Sequence, residues 1–337
     1  MRRQELSYPK RMRLRLEQIQ RASVLLRLYF PPTRLVEAPS LSKSNGARAR
    51  LKVESELPTG SFKVRGALVA LSARLERGPV CEVIASSTGN HGAAVAYAAK
   101  LLNVPATIFL PSNPNPVKRA NIEKSGAKIV EQGRDGFEAF QAASAYARGE
   151  RIYFLNDATD EDLPAGPATI ACEIFEQAPE TGAIYVPMGD TALVRAIASA
   201  ARHLHPQVRI IGVQAERAPS YYLSWKKGEV VTTDTCDTIA DGLATRSPEL
   251  PNVREILELV DDVRLVSEKQ LLDAVRHLWT EERLVAEPAG AATTAAFLQE
   301  IEPSSRHATL ILSGANVSEN VWKQATEGYA SRGHGAH

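Results

Sequence analysis

The sequence contains few cysteines and no long hydrophobic segment. Its three cysteines, Cys81, Cys172 and Cys236, are far apart, odd in number and match no metal-binding spacing. No apolar run approaches the roughly 18 residues that a membrane-spanning helix needs. We therefore expect neither structural disulfides nor a membrane-spanning helix. A reducing, cytoplasmic setting is expected instead.

The sequence also lacks a net charge of either sign. Its 40 Lys and Arg residues nearly balance 39 Asp and Glu residues, and the formal charge is +1. Such a chain has no general attraction to polyanions, so neither nucleic acid nor a membrane is an expected partner. With 337 residues, 44% of them hydrophobic, it has the size of about two folded domains of roughly 150 residues each. The function must then be sought in a ligand site.

The first 30 residues depart from this balance, since they hold eight Lys or Arg and two Glu. Within them, residues 11–28 carry apolar side chains at spacings of three and four, which predicts a basic amphipathic helix. A solvated helix packed on the rest of the protein is the favoured interpretation, and contact with an anionic surface is the alternative.

Several familiar catalytic motifs are absent. The sequence has no G-x-G-x-x-G after a strand, no G-x-x-x-x-G-K-[ST], no H-E-x-x-H and no G-x-S-x-G. Dinucleotide-binding, P-loop, zinc-peptidase and serine-hydrolase functions are therefore not supported.

From residue 80 onward, short apolar runs alternate with longer Ala- and Leu-rich helical patterns. This alternation predicts repeated β-α units and hence an α/β fold with parallel sheets. The predicted strands cover residues 50–54, 82–86, 106–110, 128–131, 152–155, 184–187, 209–214, 262–266 and 309–312. The predicted helices include 92–102, 117–125, 136–148, 193–204, 268–281 and 290–301. Such sheets bind ligands where the carboxyl ends of strands lead into helix N-termini.

One loop places a lysine at the start of a helix. Residues 58–67 read P-T-G-S-F-K-V-R-G-A and follow a predicted strand, with Lys63 in the first helical turn. The helix dipole and burial would both lower the pKa of this amine, as a Schiff-base lysine requires. A surface lysine whose stem lies along the helix is the alternative.

Three other loops present hydroxyl or amide groups at the end of a strand. Residues 87–92, S-T-G-N-H-G, are suited to a carboxylate or phosphate, although ordinary N-capping explains them equally well. Residues 188–192, M-G-D-T-A, form a second candidate anion site, in which Asp190 would repel a phosphate unless it points away or caps the helix. Residues 313–316, S-G-A-N, follow the last predicted strand, and Ser313 is either a ligand or a cap.

In this order and at these separations, the motifs resemble the fold-type II family of pyridoxal-phosphate enzymes (the tryptophan synthase β-like superfamily), most closely its serine/threonine dehydratase branch. The resemblance runs from about residue 35 to residue 320, and its most specific parts are P-T-G-S-F-K-x-R-G-A and S-x-G-N-H. Residues 239–243 and 286–291 resemble further signatures of the family. Residues 166–169, G-P-A-T, stand where the family usually reads G-Q-G-T.

The resemblance implies pyridoxal 5'-phosphate as the cofactor and a role for each loop. Lys63 would hold the cofactor as a Schiff base and act as general base, and Thr88 is a second candidate catalytic residue. The other cofactor contacts would come from Phe62, Asn90, Gly189, Asp190, Thr191, Ala192 and Ser313. The substrate carboxylate would be held by Ser87, Thr88, Gly89 and His91. The phosphate loop departs from the family's run of glycines, because it reads G-D-T-A at 189–192.

Relatives in this branch tend to bind a cation after the strand that ends here at Gln214. Glu216 matches one of the ligands, but Tyr222 stands where an Asp is expected. No metal is therefore predicted.

The activity that the resemblance implies is β-elimination from a β-hydroxy amino acid such as serine, threonine or a bulkier 3-hydroxy amino acid. This reaction of a dehydratase, or ammonia-lyase, gives a 2-oxo acid and ammonia. Racemization is the nearest alternative, since racemizing relatives carry a hydroxyl at the position of Thr88, and β-replacement is the next. The glycine-poor phosphate loop leaves open a non-catalytic homologue that acts as a binding protein.

The same resemblance implies two parallel-sheet α/β domains with the cofactor in the cleft between them. Residues 1–77 and 156–337 would form the large cofactor-binding domain, and residues 78–155 a small mobile one. A homodimer is expected.

Overall fold

The computed structural model describes residues 14–42, 46–87, 89–112, 114, 116–149, 151–301 and 305–327. Within these residues the chain forms ten β-strands and twelve α-helices. The strands are β1 (Leu35–Glu37), β2 (Arg48–Val53), β3 (Glu82–Ser86), β4 (Ala106–Leu110), β5 (Lys128–Glu131), β6 (Ile152–Phe154), β7 (Ala183–Pro187), β8 (Arg209–Ala215), β9 (Asp262–Val266) and β10 (His307–Leu312). The helices are α1 (Leu16–Arg27), α2 (Lys63–Glu76), α3 (Asn90–Leu101), α4 (Pro116–Lys124), α5 (Gly136–Tyr146), α6 (Ala165–Gln177), α7 (Ala192–Leu204), α8 (Ser220–Lys227), α9 (Leu250–Leu259), α10 (Glu268–Thr280), α11 (Pro288–Gln299) and α12 (Glu319–Thr326).

Six strands form the larger sheet, in the order β1-β2-β10-β7-β8-β9. All neighbours are parallel except β1, which pairs antiparallel with β2 at the edge. This antiparallel edge strand is not among the predicted strands. The strand β1 is missing from the predicted set because three residues are too few to show a strand period. Every predicted strand begins and ends within two residues of an observed one.

The other four strands form a smaller, wholly parallel sheet in the order β5-β4-β3-β6. All four lie between residues 82 and 154, inside the segment predicted as a separate small domain. The central strands β3 and β4 are largely buried, as expected for parallel strands that helices cover on both faces. The α/β fold with parallel sheets is confirmed, and the exact division into two domains stays a prediction.

The helix α11 brings one predicted signature against another. It is buried over residues 288–297, because it lies on β7, β8, β9 and β10 and is covered by α10. Its small side chains allow a close approach to the sheet: a Cβ atom on Gly290 would overlap the carbonyl oxygen of Gly314. The loops before α11 and after β10 therefore meet at the carboxyl edge of the larger sheet.

A buried network of charges joins β2, α2 and α6. Arg65 donates from Nε to Glu54 at 2.7 Å and from Nη1 to Glu173 at 2.6 Å. Lys52 donates from Nζ to Glu173 at 2.6 Å. Two cations and two carboxylates balance in a region from which water is excluded, so that each charge depends on the others. The network fixes the start of α2, where Lys63 lies.

The helix α1 packs through three buried side chains, Ile19, Ala22 and Leu26. The predicted amphipathic helix is thereby confirmed from Leu16 onward, whereas its part up to residue 13 lies outside the described residues. In the part of the chain that the structure describes, no helix is long and apolar enough to cross a membrane.

Candidate active site

A cavity of about 310 Å³ opens where the carboxyl edges of the two sheets face each other. Six of the predicted site residues line it: Lys63, Ser87, Gly89, Asn90, His91 and Asp190. Residues without a predicted role also line it, among them Asp157, Asp241, Glu287 and Asn316. Five predicted residues do not line it, namely Phe62, Gly189, Thr191, Ala192 and Ser313. Of these, Phe62 adjoins Lys63 in the chain, and Gly189 and Thr191 adjoin Asp190. Thr88 lies outside the described residues.

Lys63 is the first residue of α2, and its side chain is 17% exposed. Its Nζ donates to Asp157 Oδ2 at 2.7 Å and to Asp190 Oδ2 at 3.3 Å. The ring of Phe62 lies beneath it, with 5.4 Å between Nζ and the ring centroid. The lysine is therefore a wall of the cavity, and the alternative of a surface lysine is wrong.

The predicted lowering of the Lys63 pKa is wrong. Burial does lower the pKa of this amine, but the charges and hydrogen bonds of Asp157 and Asp190 outweigh burial and raise it above its ordinary value. The helix dipole and burial can be inferred from the residues around Lys63, whereas the two carboxylates come from loops far away in the chain. Lys63 is accordingly an ammonium with two counter-ions.

Asp157, which sequence reasoning missed, follows β6 at the edge of the smaller sheet. Burial tends to raise the pKa of its carboxyl, yet nearby His91 and Lys63 hold the pKa below its usual range. Its Oδ2 is 3.8 Å from His91 Nδ1. Asp157 could have been predicted from its position just after the predicted strand 152–155, because the other loops of the site also follow predicted strands.

Asn90 belongs to a chain of side-chain hydrogen bonds that crosses the cavity. Its Nδ2 donates to Glu287 at 2.6 Å, and its Oδ1 accepts from Asn316 Nδ2 at 2.7 Å. Asn316 also donates to the carbonyl of Thr59 at 2.8 Å, in the loop that precedes Lys63. Four of the sequence segments, 58–67, 87–92, 286–291 and 313–316, are thus joined, and Asn90 is held in a fixed orientation.

The N-terminus of α3 faces the cavity without a side-chain cap. Its N-cap is Gly89, whose N–H donates to Ser87 Oγ at 3.2 Å. His91 is buried and bonds through Nε2 to the carbonyl of Leu155 at 2.9 Å, while its Nδ1 has no hydrogen-bond partner within the described residues. A capping side chain does not account for this loop among the described residues, so its backbone N–H groups suit an anion.

At the start of α7, a carboxylate already occupies the helix end. Asp190 Oδ1 accepts from the N–H of Ala192 at 3.0 Å, which is the capping position that the sequence left open for it. Thr191 has a left-handed backbone with φ of 74°, and its hydroxyl accepts from Arg195 Nε at 3.0 Å. A Cβ atom on Gly189 would overlap the carbonyl oxygen of Gly242, so this position requires glycine.

Ser313 follows the last residue of β10 and is buried. Its carbonyl accepts from the N–H of Phe62 at 3.0 Å, and the next residue, Gly314, bridges Ser61. These two contacts hold the loop after β10 against the loop before α2, so that Ser313 lies beside Phe62 and close to Lys63 in the chain.

The segment after β8 contains Glu216 and Tyr222, the positions considered above for a cation site. Among the residues that the structure describes, no group of three or more His, Cys, Asp or Glu side chains is placed to hold a metal ion. The N–H of Tyr222, which stands where the resemblance implies an Asp, donates to Gln214 Oε1 at 2.8 Å.

Comparison with known proteins agrees with this geometry. Over residues 26–314 the sequence matches the family described as pyridoxal-phosphate dependent enzymes. It is 36% identical to an L-threonine ammonia-lyase of Geobacter sulfurreducens over 301 residues, which cover 89% of this chain and 75% of the relative. It is 31% identical to a serine racemase of Schizosaccharomyces pombe over 297 residues, which cover 88% of this chain and 92% of the relative.

A solved structure shows the same fold. A threonine deaminase from T.th. superposes with a TM-score of 0.82 at 32% identity, over 90% of this chain and 98% of that one. The predicted resemblance to the serine/threonine dehydratase branch is thus confirmed. The chain belongs to the family of pyridoxal-phosphate dependent enzymes.

Proposed function

We propose that this protein is an ammonia-lyase, or dehydratase, that eliminates water from a β-hydroxy amino acid such as serine, threonine or a bulkier 3-hydroxy amino acid. The observation that carries the proposal is the position of Lys63, whose amine faces a cavity walled by Asn90 and by the uncapped start of α3. The similarity to an L-threonine ammonia-lyase supports the choice of reaction.

The groups around the cavity suit the family's cofactor. Lys63 would hold pyridoxal phosphate as a Schiff base, with Phe62 beside the ring and Asn90 near its phenolic oxygen. Ser313 would serve the pyridine nitrogen, and the loop 189–192 would hold the phosphate. When bound, this cofactor acts as an electron sink for the electron pair left at the substrate Cα.

The fit shows in the donors and acceptors that the protein leaves available. The buried Nδ1 of His91 has no hydrogen-bond partner among the described residues, and its nearest carboxylate oxygen, Asp157 Oδ2, is 3.8 Å away. A ligand could complete such a polar group. The α3 N-terminus offers uncapped N–H groups to a carboxylate. Asp190 is the exception, because its carboxylate caps α7 and leaves fewer N–H groups for a phosphate than a run of glycines would.

Lys63 would act as the general base once its amine is free to take the proton from Cα. Asp157 and Asp190, within 3.3 Å of Nζ, would stabilise the ammonium that forms. Ser87 and His91 would orient the substrate carboxylate, and Thr88, the second candidate catalytic residue, would serve racemization rather than elimination. Loss of the Cα proton and the Cβ hydroxyl amounts to one water, and hydrolysis of the released enamine gives a 2-oxo acid and ammonia.

The proposal also includes a moving domain and a dimer. The segment 78–155 would move as a small domain towards the larger sheet and exclude water from the cavity. A cytoplasmic homodimer is the proposed working form, and light scattering after size-exclusion chromatography measures its mass.

The test is to assay the protein with pyridoxal phosphate for 2-oxo acid and ammonia from serine, threonine and bulkier 3-hydroxy amino acids. At least one substrate should yield both products in equal amounts. Lys63→Ala should abolish the reaction and the visible absorption of the bound cofactor, whereas the exposed Lys226→Ala should change neither. A protein that binds the cofactor yet releases no ammonia from any member of the panel would exclude this function.

Racemization is the second candidate, favoured by the similarity to a serine racemase and by the hydroxyl of Thr88. Chiral chromatography of unreacted substrate distinguishes the two reactions. If the protein racemizes, Thr88→Ala should abolish inversion and leave elimination in place.

A further inference from the structure

A second cavity, of about 400 Å³, lies on the other side of the α7 N-terminus from the candidate active site. It is formed by the start of α1, the loop before α6, and the helices α7 and α9. Its walls include apolar side chains, namely Leu14, Ala158, Pro164, Pro251 and Leu259. None of the roles assigned above involves this space.

The charge of this cavity is one-sided. The lining residues include five carboxylates, Asp160, Glu161, Glu249, Glu255 and Glu258, and one cation, Arg195. Arg195 already donates from Nη1 to Glu255 at 2.8 Å. Glu161 and Glu249 lie exposed at the rim. The formal charge of the lining is therefore strongly negative, and it favours a cation over an anion or a zwitterion.

A buried hydroxyl inside the cavity is the independent sign of a ligand. Ser199 lines the wall, is 4% exposed, and its Oγ has no hydrogen-bond partner within the described part of the chain. Helical serines commonly bond to the carbonyl four residues earlier, and Ser199 does not. A polar atom left this way costs stability unless a ligand or water completes it.

We propose that this cavity binds a small aliphatic diamine and acts as an effector site. One ammonium would donate to Ser199 Oγ and Glu255 in the interior, and the other would meet Glu161 and Glu249 at the rim. The methylene chain between them would lie along the apolar walls. An alkyl chain with a cationic group at each end matches both features of the cavity.

The cavity is connected to the active-site loop by two hydrogen bonds. Arg195, on its wall, donates from Nε to Thr191 Oγ1 at 3.0 Å. Asn252, also on its wall, donates to the carbonyl of Asp190 at 3.3 Å. Neutralising Glu255 changes the counter-ion of Arg195, so the diamine alters the loop that would hold the cofactor phosphate. Binding of the diamine does not depend on the proposed ammonia-lyase activity. The effect of the diamine on cofactor binding rests on the proposed role of residues 189–192 in holding the phosphate.

Calorimetric titration of the holoenzyme with 1,4-diaminobutane tests the binding. Saturable binding is expected, with none for 1,4-butanediol, which has the same length and no charge. The double variant E161Q/E249Q should weaken binding about tenfold or more, since each rim carboxylate contributes a partly exposed charge pair. The control E76Q/D234N removes two exposed carboxylates elsewhere and should leave the Kd within about twofold.

Three results would overturn the proposal. They are the absence of saturable binding, equal binding of the diol, and an unchanged Kd in E161Q/E249Q. Strong competition by magnesium chloride at matched ionic strength would be a fourth such result, because it would mean that cations of any kind gather near these carboxylates without a defined site. The coupling is read from the Kd for pyridoxal phosphate, which should change at least about threefold at saturating diamine, and an unchanged value would refute it.

Discussion

Lys63 is held as an ammonium between Asp157 and Asp190, and this sets a proton requirement for loading the cofactor. Only the neutral amine can attack the aldehyde of pyridoxal phosphate. Because the two carboxylates raise the pKa of Lys63, the neutral fraction is small at pH 7 and grows about tenfold per pH unit below that pKa. The two carboxylates therefore favour the protonated, non-nucleophilic form of Lys63.

The first prediction follows from this ion pair. The rate at which the apoprotein regains its visible absorption should rise between pH 7 and pH 9, and Asp157→Asn should raise the rate at pH 7 by about tenfold. The reason is that removing one counter-ion lets burial lower the Lys63 pKa. Stopped-flow absorbance measures the rate, with the exposed Asp234→Asn as control. Equal rates for wild type and Asp157→Asn across this pH range would contradict the assignment.

The second prediction concerns Gly189, where the carbonyl of Gly242 leaves no space for a Cβ atom. Gly189→Ala should push the phosphate loop away and weaken pyridoxal-phosphate binding about tenfold or more, as measured by absorbance titration. Gly136→Ala is the matched control, because open space surrounds that position at the start of α5. Equal affinities in the two variants would show that the loop adapts without cost.

Which site residues can be foreseen depends on how local their signal is. Lys63, Asn90 and Asp190 stand in loops whose pattern is visible within ten residues of the chain. Glu287 and Asn316 acquire their positions by bonding to Asn90 across 197 and 226 residues of sequence. Such pairings depend on how the two sheets face each other, and no local pattern encodes that.

The helix α6 carries two glutamates in opposite surroundings: Glu173 lies in the buried charge network that joins β2, α2 and α6, and Glu176 lies on the exposed face. Glu173 is buried and serves both Arg65 and Lys52, whereas Glu176 is 55% exposed and pairs only with Arg27 among the described residues. Removing a buried partner leaves a cation without compensation, while an exposed pair loses little because water replaces it.

The third prediction compares these two glutamates of one helix. Glu173→Gln should lower the free energy of unfolding by about 3–5 kcal/mol. Glu176→Gln should lower it by less than about 1 kcal/mol. Urea titration followed by circular dichroism measures both. A loss for Glu173→Gln as small as that for Glu176→Gln would mean that the network is hydrated in solution.

The elements themselves were largely predictable, because parallel strands buried on both faces are continuous apolar runs between turn signals. The predicted strands over 82–86, 106–110, 128–131 and 262–266 coincide with the observed β3, β4, β5 and β9. The exception is β1, whose pairing with β2 comes from the tertiary fold rather than from its own three residues. Its antiparallel direction had no counterpart in the sequence pattern.

For the whole molecule, the cavity takes residues from both sheets: Ser87 and Asp157 follow strands of the smaller one, and Asp190 and Asn316 follow strands of the larger. A ligand bound there contacts both parts and is lost when either unfolds. Binding to the native state alone stabilises it by about 2.7 kcal/mol at a ligand concentration of one hundred times Kd.

The fourth prediction is a single thermal transition that pyridoxal phosphate shifts as a whole. With an unfolding entropy of about 2.1 cal/mol/K per residue, the stabilisation corresponds to a rise in Tm of about 4 °C for a chain of this size. Scanning calorimetry with and without the cofactor measures it, and Lys63→Ala should lose most of the rise. Two separate transitions, of which only one moves, would mean that the two sheets unfold independently and that the cofactor is held by one of them.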